Sequence, residues 1–90
     1  MQDSWKLLKE RRNRMMLTQV DVSDALDIGF GTYQRYEHGT VKPERMSLGT
    51  GLALCALLDI DPYELAFGTD KETYMLQANF NEKIPQIPHL

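Results

Sequence analysis

Residues 18–43 read TQVDVSDALDIGFGTYQRYEHGTVKP, and the spacing of apolar and turn-forming residues in this stretch decides the fold. Thr18 offers a hydroxyl N-cap and Asp21 stands three residues on, an arrangement related to a capping box. A helix is therefore expected to begin there, with Val22, Ala25 and Leu26 at i, i+3 and i+4 as its buried stripe. Gln19, Asp21 and Asp24 would face outward. The periodicity breaks over Leu26-Asp27-Ile28-Gly29 and restarts with Tyr33 and Tyr36, three residues apart. Gly29 is an acceptable N-cap for a second short helix from about Phe30 to Glu37, and Gly39 is a natural left-handed stop. Thr40 to Pro43 make the loop that follows.

Upstream, Trp5 and Leu8 with polar neighbours predict an amphipathic helix from Trp5 to about Asn13, with Leu7 as a further contact. Met15, Met16 and Leu17 form an apolar connector to Thr18. Downstream, the most apolar stretch runs from about Met46 to Leu58. Its buried face is expected to hold Leu48, Leu52, Cys55, Ala56 and either Leu57 or Leu58. Gly49 and Gly51 each weaken a helix by roughly 1 kcal/mol relative to Ala, so regular helix is expected only from near Thr50 or Gly51. Asp61-Pro62-Tyr63-Glu64 is a cleaner start: an Asp N-cap, Pro in the first turn and Glu at N3, ahead of Leu65, Ala66, Phe67 and Gly68. The result is an all-α domain of five helices over residues 1–68, with a helix-turn-helix at 18–37. Residues 69–90 read as a polar C-terminal extension with a tail over 83–90, where Pro85 and Pro88 forbid a regular helix or central strand. Thr73 to Phe80 are placed to pack on the body or against a second subunit.

Ninety residues suffice for one compact domain and not two. No apolar run approaches the roughly 20 residues of a membrane span. The start lacks the basic-then-apolar order of a signal peptide and the single Cys55 has no internal partner, so the expected compartment is the cytoplasm. The net charge of −3 argues against a strong general attraction for nucleic acid, but the charge is unevenly spread. Residues 1–45 carry eight Lys/Arg against seven Asp/Glu, and residues 46–90 two against six. Lys6, Lys9, Arg11, Arg12 and Arg14 crowd one stretch opposed by Glu10 alone. Catalysis finds little support, because His38 and His89 are the only histidines and Cys55 lies on an expected buried face. No metal site and no cofactor are expected.

The order of helices, together with Thr18-Gln19, Ala25-Leu26, Arg35, Glu37, Gly39 and Lys42-Pro43, resembles the lambda-repressor-like helix-turn-helix regulators, which include Cro and Xre-type proteins. The resemblance spans about residues 5–68 and is ungapped from Thr18 to Pro43. It implies binding to double-stranded DNA, with the helix from Phe30 lying in a major groove about 12 Å wide. By the same resemblance Gln19 contacts a phosphate, Gly29, Phe30, Gly31 and Arg35 face base edges, and Thr32 meets phosphate or sugar. Gln34 shares that helix. Lys9, Arg11, Arg14, His38, Thr40 and Lys42 are candidates for phosphate contacts, and Arg12 with Glu37 matches a structural ion pair.

Arg35 can donate a bidentate pair to guanine, or pair with a nearby carboxylate; Phe30 can press on a thymine methyl, or sit in the core. Three departures from the family pattern bear on this reading. Asp27 stands where Gly is usual, two glycines occupy the reading end of the helix, and the connection between the fourth and fifth helices is about three residues long in excess. Tyr33 and Tyr36 replace buried aliphatic residues, so their hydroxyls need partners or a route to solvent.

The function expected is a sequence-specific transcriptional regulator, a repressor binding a palindromic operator as a homodimer, since one helix-turn-helix reads only a few base pairs. The alternative is an antitoxin or anti-repressor module on the same fold, using the acidic second half to bind a protein partner.

Overall fold

The computed structural model describes residues 4–78. The chain forms α1 (Ser4–Arg14), α2 (Gln19–Ala25), α3 (Phe30–Glu37), a 3-10 turn (Pro43–Arg45), α4 (Leu48–Leu58), α5 (Pro62–Phe67) and α6 (Lys71–Gln77). No strand occurs among the described residues.

Local chemistry sets most of these boundaries. Thr18 Oγ1 accepts from the Asp21 backbone N–H at 3.0 Å while the Asp21 carboxylate accepts from the Thr18 N–H at 2.8 Å, closing a full capping box at the start of α2. These bonds, that from the Thr18 backbone first, hold the Asp21 carboxyl below its ordinary pKa. The turn between α2 and α3 places Asp27 at φ 53°, a left-handed conformation that Asp tolerates better than most residues, so Asp27 supplies the backbone geometry that a glycine would. Asp61 caps α5 through the Tyr63 N–H, and Gly68 ends it at φ 76°.

The core gathers Leu8 of α1, Val22 of α2, Tyr33 of α3, Leu54, Cys55 and Leu58 of α4, Ile60 in the following loop and Leu65 of α5. Leu7, Leu17, Leu26, Ile28, Tyr36, Met46 and Leu57 pack around it, half-buried. Cys55 is a free thiol whose pKa is pushed up, first by burial and then by the charge of Asp61.

Several expectations are corrected. The five α-helices expected over residues 1–68 are present, and among the described residues the extension adds a sixth. Asp70 accepts from the Thr73 N–H at 2.7 Å and starts α6, which folds back on α5 so that Tyr74 stacks on Phe67 at 3.9 Å between ring centroids. In α2, Ala25 is exposed and Leu26 only half-buried, while Ser23 is buried. Ser23 can enter the interior because its hydroxyl donates to the Val20 carbonyl at 3.1 Å. Helix α4 begins at Leu48, earlier than the glycines suggest, because Ser47 accepts from the Thr50 N–H. It presents Leu54, Cys55 and Leu58 to the core, leaving Leu48 at 77% and Leu52 at 47% exposure and Ala56 at the surface. An all-apolar helix carries no periodic signal, so its buried face is chosen by its packing against α1 and α5. Phe80 and the tail over 83–90 lie outside the described residues.

Candidate nucleic-acid interface

Helix α3 has two unlike edges. Tyr33 and Glu37 are buried and Tyr36 is half-buried, whereas Phe30, Gly31, Thr32 and Arg35 are exposed and Gln34 is half-buried. Phe30, at 44% exposure, is therefore not a core residue. Arg35 makes no ion pair among the described residues. Gly29 takes the N-cap position at φ −63°, ψ 143° without a side-chain cap, so the first N–H groups of α3 keep their hydrogen-bonding capacity and their share of the positive helix end. A Cβ on Gly29 would touch only Thr32, and one on Gly31 would meet nothing within 4 Å.

The buried edge is held by charge. Arg12 of α1 donates from Nε to Glu37 Oε2 at 2.9 Å and from Nη2 to Glu37 Oε1 at 2.6 Å, a bidentate pair joining α1 to the end of α3. Arg12 Nη1 also donates to the Leu17 carbonyl at 2.9 Å, tying in the α1–α2 connector. Burial alone would raise the pKa of Glu37; the bonds from Arg12, then the neighbouring Tyr33 and Gln19, outweigh it and bring the carboxyl below its ordinary value. Arg12 is raised in turn, chiefly by its bond to Glu37. The Tyr33 hydroxyl faces both charges, yet it is buried without a hydrogen bond of acceptable geometry, and its pKa is driven far up by desolvation.

Gln19, in the first turn of α2, extends this network. Its Nε2 donates to Glu37 Oε1 at 3.2 Å and its Oε1 accepts from Gln34 Nε2 at a long 3.4 Å. One amide thus links the buried ion pair to the solvent-facing side of α3. Among the basic candidates, Arg14 lies at the end of α1 in an exposed pair with Glu10 at 2.8 Å, which contributes little because both side chains are well solvated. Lys9 is exposed on the same helix. Arg11 Nη1 donates to the Asp59 carbonyl at 2.8 Å with Glu64 at 4.0 Å, which ties this side chain to the end of α4.

His38, Thr40 and Lys42 are exposed in the loop after α3. That loop is shaped by Gly39 at φ 79° and by the Thr40 and Val41 N–H groups, which both donate to the Arg35 carbonyl. An unexpected clasp secures it. A Cβ on Gly39 would lie 3.0 Å from Trp5 Cδ1, so the indole packs directly on the glycine, and Ser4 Oγ donates to Glu44 Oε1 at 2.8 Å. No local sequence signal marks these long-range contacts. Among the described residues no three His, Cys, Asp or Glu side chains gather as metal ligands.

A family model described as helix-turn-helix matches residues 8–65. The chain belongs to the Cro/C1-type helix-turn-helix family. No curated protein and no solved structure matches it significantly. The match runs from within α1 to within α5 and includes α2 and α3, and the chain is a DNA-binding helix-turn-helix regulator. The family is generally non-enzymatic. No helix among the described residues is long and apolar enough to cross a membrane.

Proposed function

We propose that the protein is a cytoplasmic transcriptional repressor that binds a palindromic operator as a homodimer, with α3 in the major groove. The observation that carries the reading is the exposed edge of α3: Phe30, Gly31, Thr32 and Arg35 project from a helix whose opposite edge is locked into the core. Arg35 is the guanine reader and Phe30 meets a thymine methyl. Gly31 has open space where a side chain would fit, so the fold itself makes no demand for glycine there, and its absence of a side chain serves close approach of the duplex.

Gln19, Thr32, Gln34, His38, Thr40, Lys42 and Arg14 supply phosphate and sugar contacts, with the open N–H groups at Gly29. Because few long side chains reach the bases, sequence-dependent DNA shape contributes to specificity. Residues 1–68 carry the DNA-binding unit. Residues 69–90 contribute to the dimer contact through α6, whose Tyr74 joins Tyr63 and Phe67 in an aromatic cluster and whose Leu76 is exposed.

Selection from a random DNA pool should enrich a palindrome with half-sites about 34 Å apart. Arg35→Ala should then lose about 1 to 3 kcal/mol of discrimination at one base pair of each half-site. Unchanged discrimination would remove Arg35 from the reading role, and a failure to enrich any sequence would defeat the proposal as a whole.

A further inference from the structure

Helix α4 holds no charged residue between Leu48 and Leu58, and the core takes only one of its sides, through Leu54, Cys55 and Leu58. Leu48, Gly49, Leu52, Ala53 and Ala56 make up an apolar outer face, with Leu48 at 77% and Leu52 at 47% exposure. Spaced by four residues, Leu48, Leu52 and Ala56 run as one row along the helix, with Gly49 and Ala53 as the row beside them. Apolar surface of this kind, left wet, favours an occupant. The two ends of the face differ in charge. Arg45, exposed in the 3-10 turn ahead of α4, makes no ion pair among the described residues, and its neighbour Glu44 is engaged by Ser4 Oγ. Asp59, also exposed, occupies the C-cap.

We infer that this face is covered by the same face of a second copy of the chain, with the two α4 helices antiparallel about a two-fold axis. The inference rests on the homodimer reading above and places the centre of that contact on α4. A two-fold contact needs a surface that complements itself. With the axis beside Leu52 and Ala53, Leu48 falls over the partner's Ala56 and Leu52 over the partner's Ala53. A large side chain then meets a small one at each position, as close helix packing requires.

Charge selects the direction. The same register sets Arg45 opposite the partner's Asp59 at both ends, whereas a parallel arrangement would set Arg45 against the partner's Arg45. Between the ends no charge is desolvated. A helix of 11 residues is about 16 Å long and about 10 Å across. That footprint is well short of the roughly 800 Å² per partner of a stable interface, so association through α4 is weak and concentration-dependent.

The test is sedimentation equilibrium of the full chain from about 5 to 500 µM, where a monomer–dimer equilibrium is expected. Leu48→Glu with Leu52→Glu, both at exposed positions, should raise the dimer dissociation constant by about tenfold or more while keeping the parental melting curve. Arg45→Glu alone and Asp59→Lys alone should each weaken the dimer by roughly tenfold through like-charge pairs. Mixed one to one, these two variants should regain the parental affinity as a heterodimer, because both end pairs are restored. If Asp59→Lys, at a left-handed position, does not fold, the leucine variant decides the matter. An unchanged dissociation constant in the leucine variant would overturn this inference and leave the homodimer reading standing. A mixture no tighter than its components would overturn the antiparallel register, and a chain monomeric at every concentration would overturn both readings.

Discussion

Replacing Arg12 by Met removes the guanidinium that holds Glu37 at 2.6 and 2.9 Å while keeping an aliphatic stem. Glu37 is left 3% exposed, with only the neutral Gln19 and Tyr33 beside it. Removing one partner of a buried pair costs about 3 to 5 kcal/mol, because the other charge stays desolvated. Against a total stability of roughly 5 to 15 kcal/mol this is a large share. At about 4 to 8 °C per kcal/mol for a domain of this size, the melting temperature should fall by at least 12 °C.

The pH dependence gives a sharper test. In the unaltered protein the folded-state pKa of Glu37 is depressed, so its stabilisation is present above the unfolded value, about 4.3, and is lost as pH falls below it. In Arg12→Met, burial becomes the larger effect and raises that pKa. The sign then reverses: the variant should gain stability as pH falls from 7 toward 4.5, relative to the parent. Urea unfolding followed by circular dichroism at pH 7, 6 and 5 measures both slopes. The double variant Arg12→Met with Glu37→Leu should recover most of the loss, since no buried charge remains. A loss under 1 kcal/mol at pH 7, or parallel pH slopes in the two proteins, would refute the reasoning.

Three further outcomes are expected. Tyr33→Phe removes a buried hydroxyl that makes no hydrogen bond of acceptable geometry but helps hold the Glu37 carboxyl low. Its desolvation, about 1 to 3 kcal/mol, offsets that support, so the variant should stay within about 1 kcal/mol of the parent at pH 7 by urea unfolding, with its acid-side loss of stability moved to higher pH. Gly39→Ala should cost about 2 kcal/mol, combining the left-handed backbone penalty with displacement of Trp5, and a change in indole fluorescence should accompany the loss. Lys42→Ala should weaken binding to every DNA sequence alike and reduce the slope of log affinity against log salt by about 1, as measured by fluorescence anisotropy between 50 and 200 mM salt.

The motif from Thr18 to Gly39 was readable because its signals are local: a hydroxyl cap with an acid three residues on, a glycine N-cap and a left-handed glycine stop. The face of α4 was not readable, since a helix apolar on every side leaves the choice to its neighbours. Ser23 defeated the apolar pattern by satisfying its own hydroxyl within a turn. Helix α6 was missed because its start, Asp70 to Thr73, is polar and short, and its anchor is a stacking contact with Phe67 on another element. In the candidate interface the inward edge of α3 at Tyr33 and Tyr36 followed from their spacing and the outward residues from the family resemblance, whereas the Gln19–Glu37 bond and the Arg11–Asp59 bond depend on residues 18 and 48 positions apart.

The chain of bonds from Arg12 through Glu37 and Gln19 to Gln34 has a thermodynamic meaning for recognition. Side chains that must be immobilised on binding cost roughly 0.5 to 1.5 kcal/mol each, and Gln19 and Gln34 have already surrendered that freedom when the domain folds. On the proposed reading, in which these amides contact the duplex, the entropy of ordering them falls on the folding equilibrium and not on the encounter with DNA.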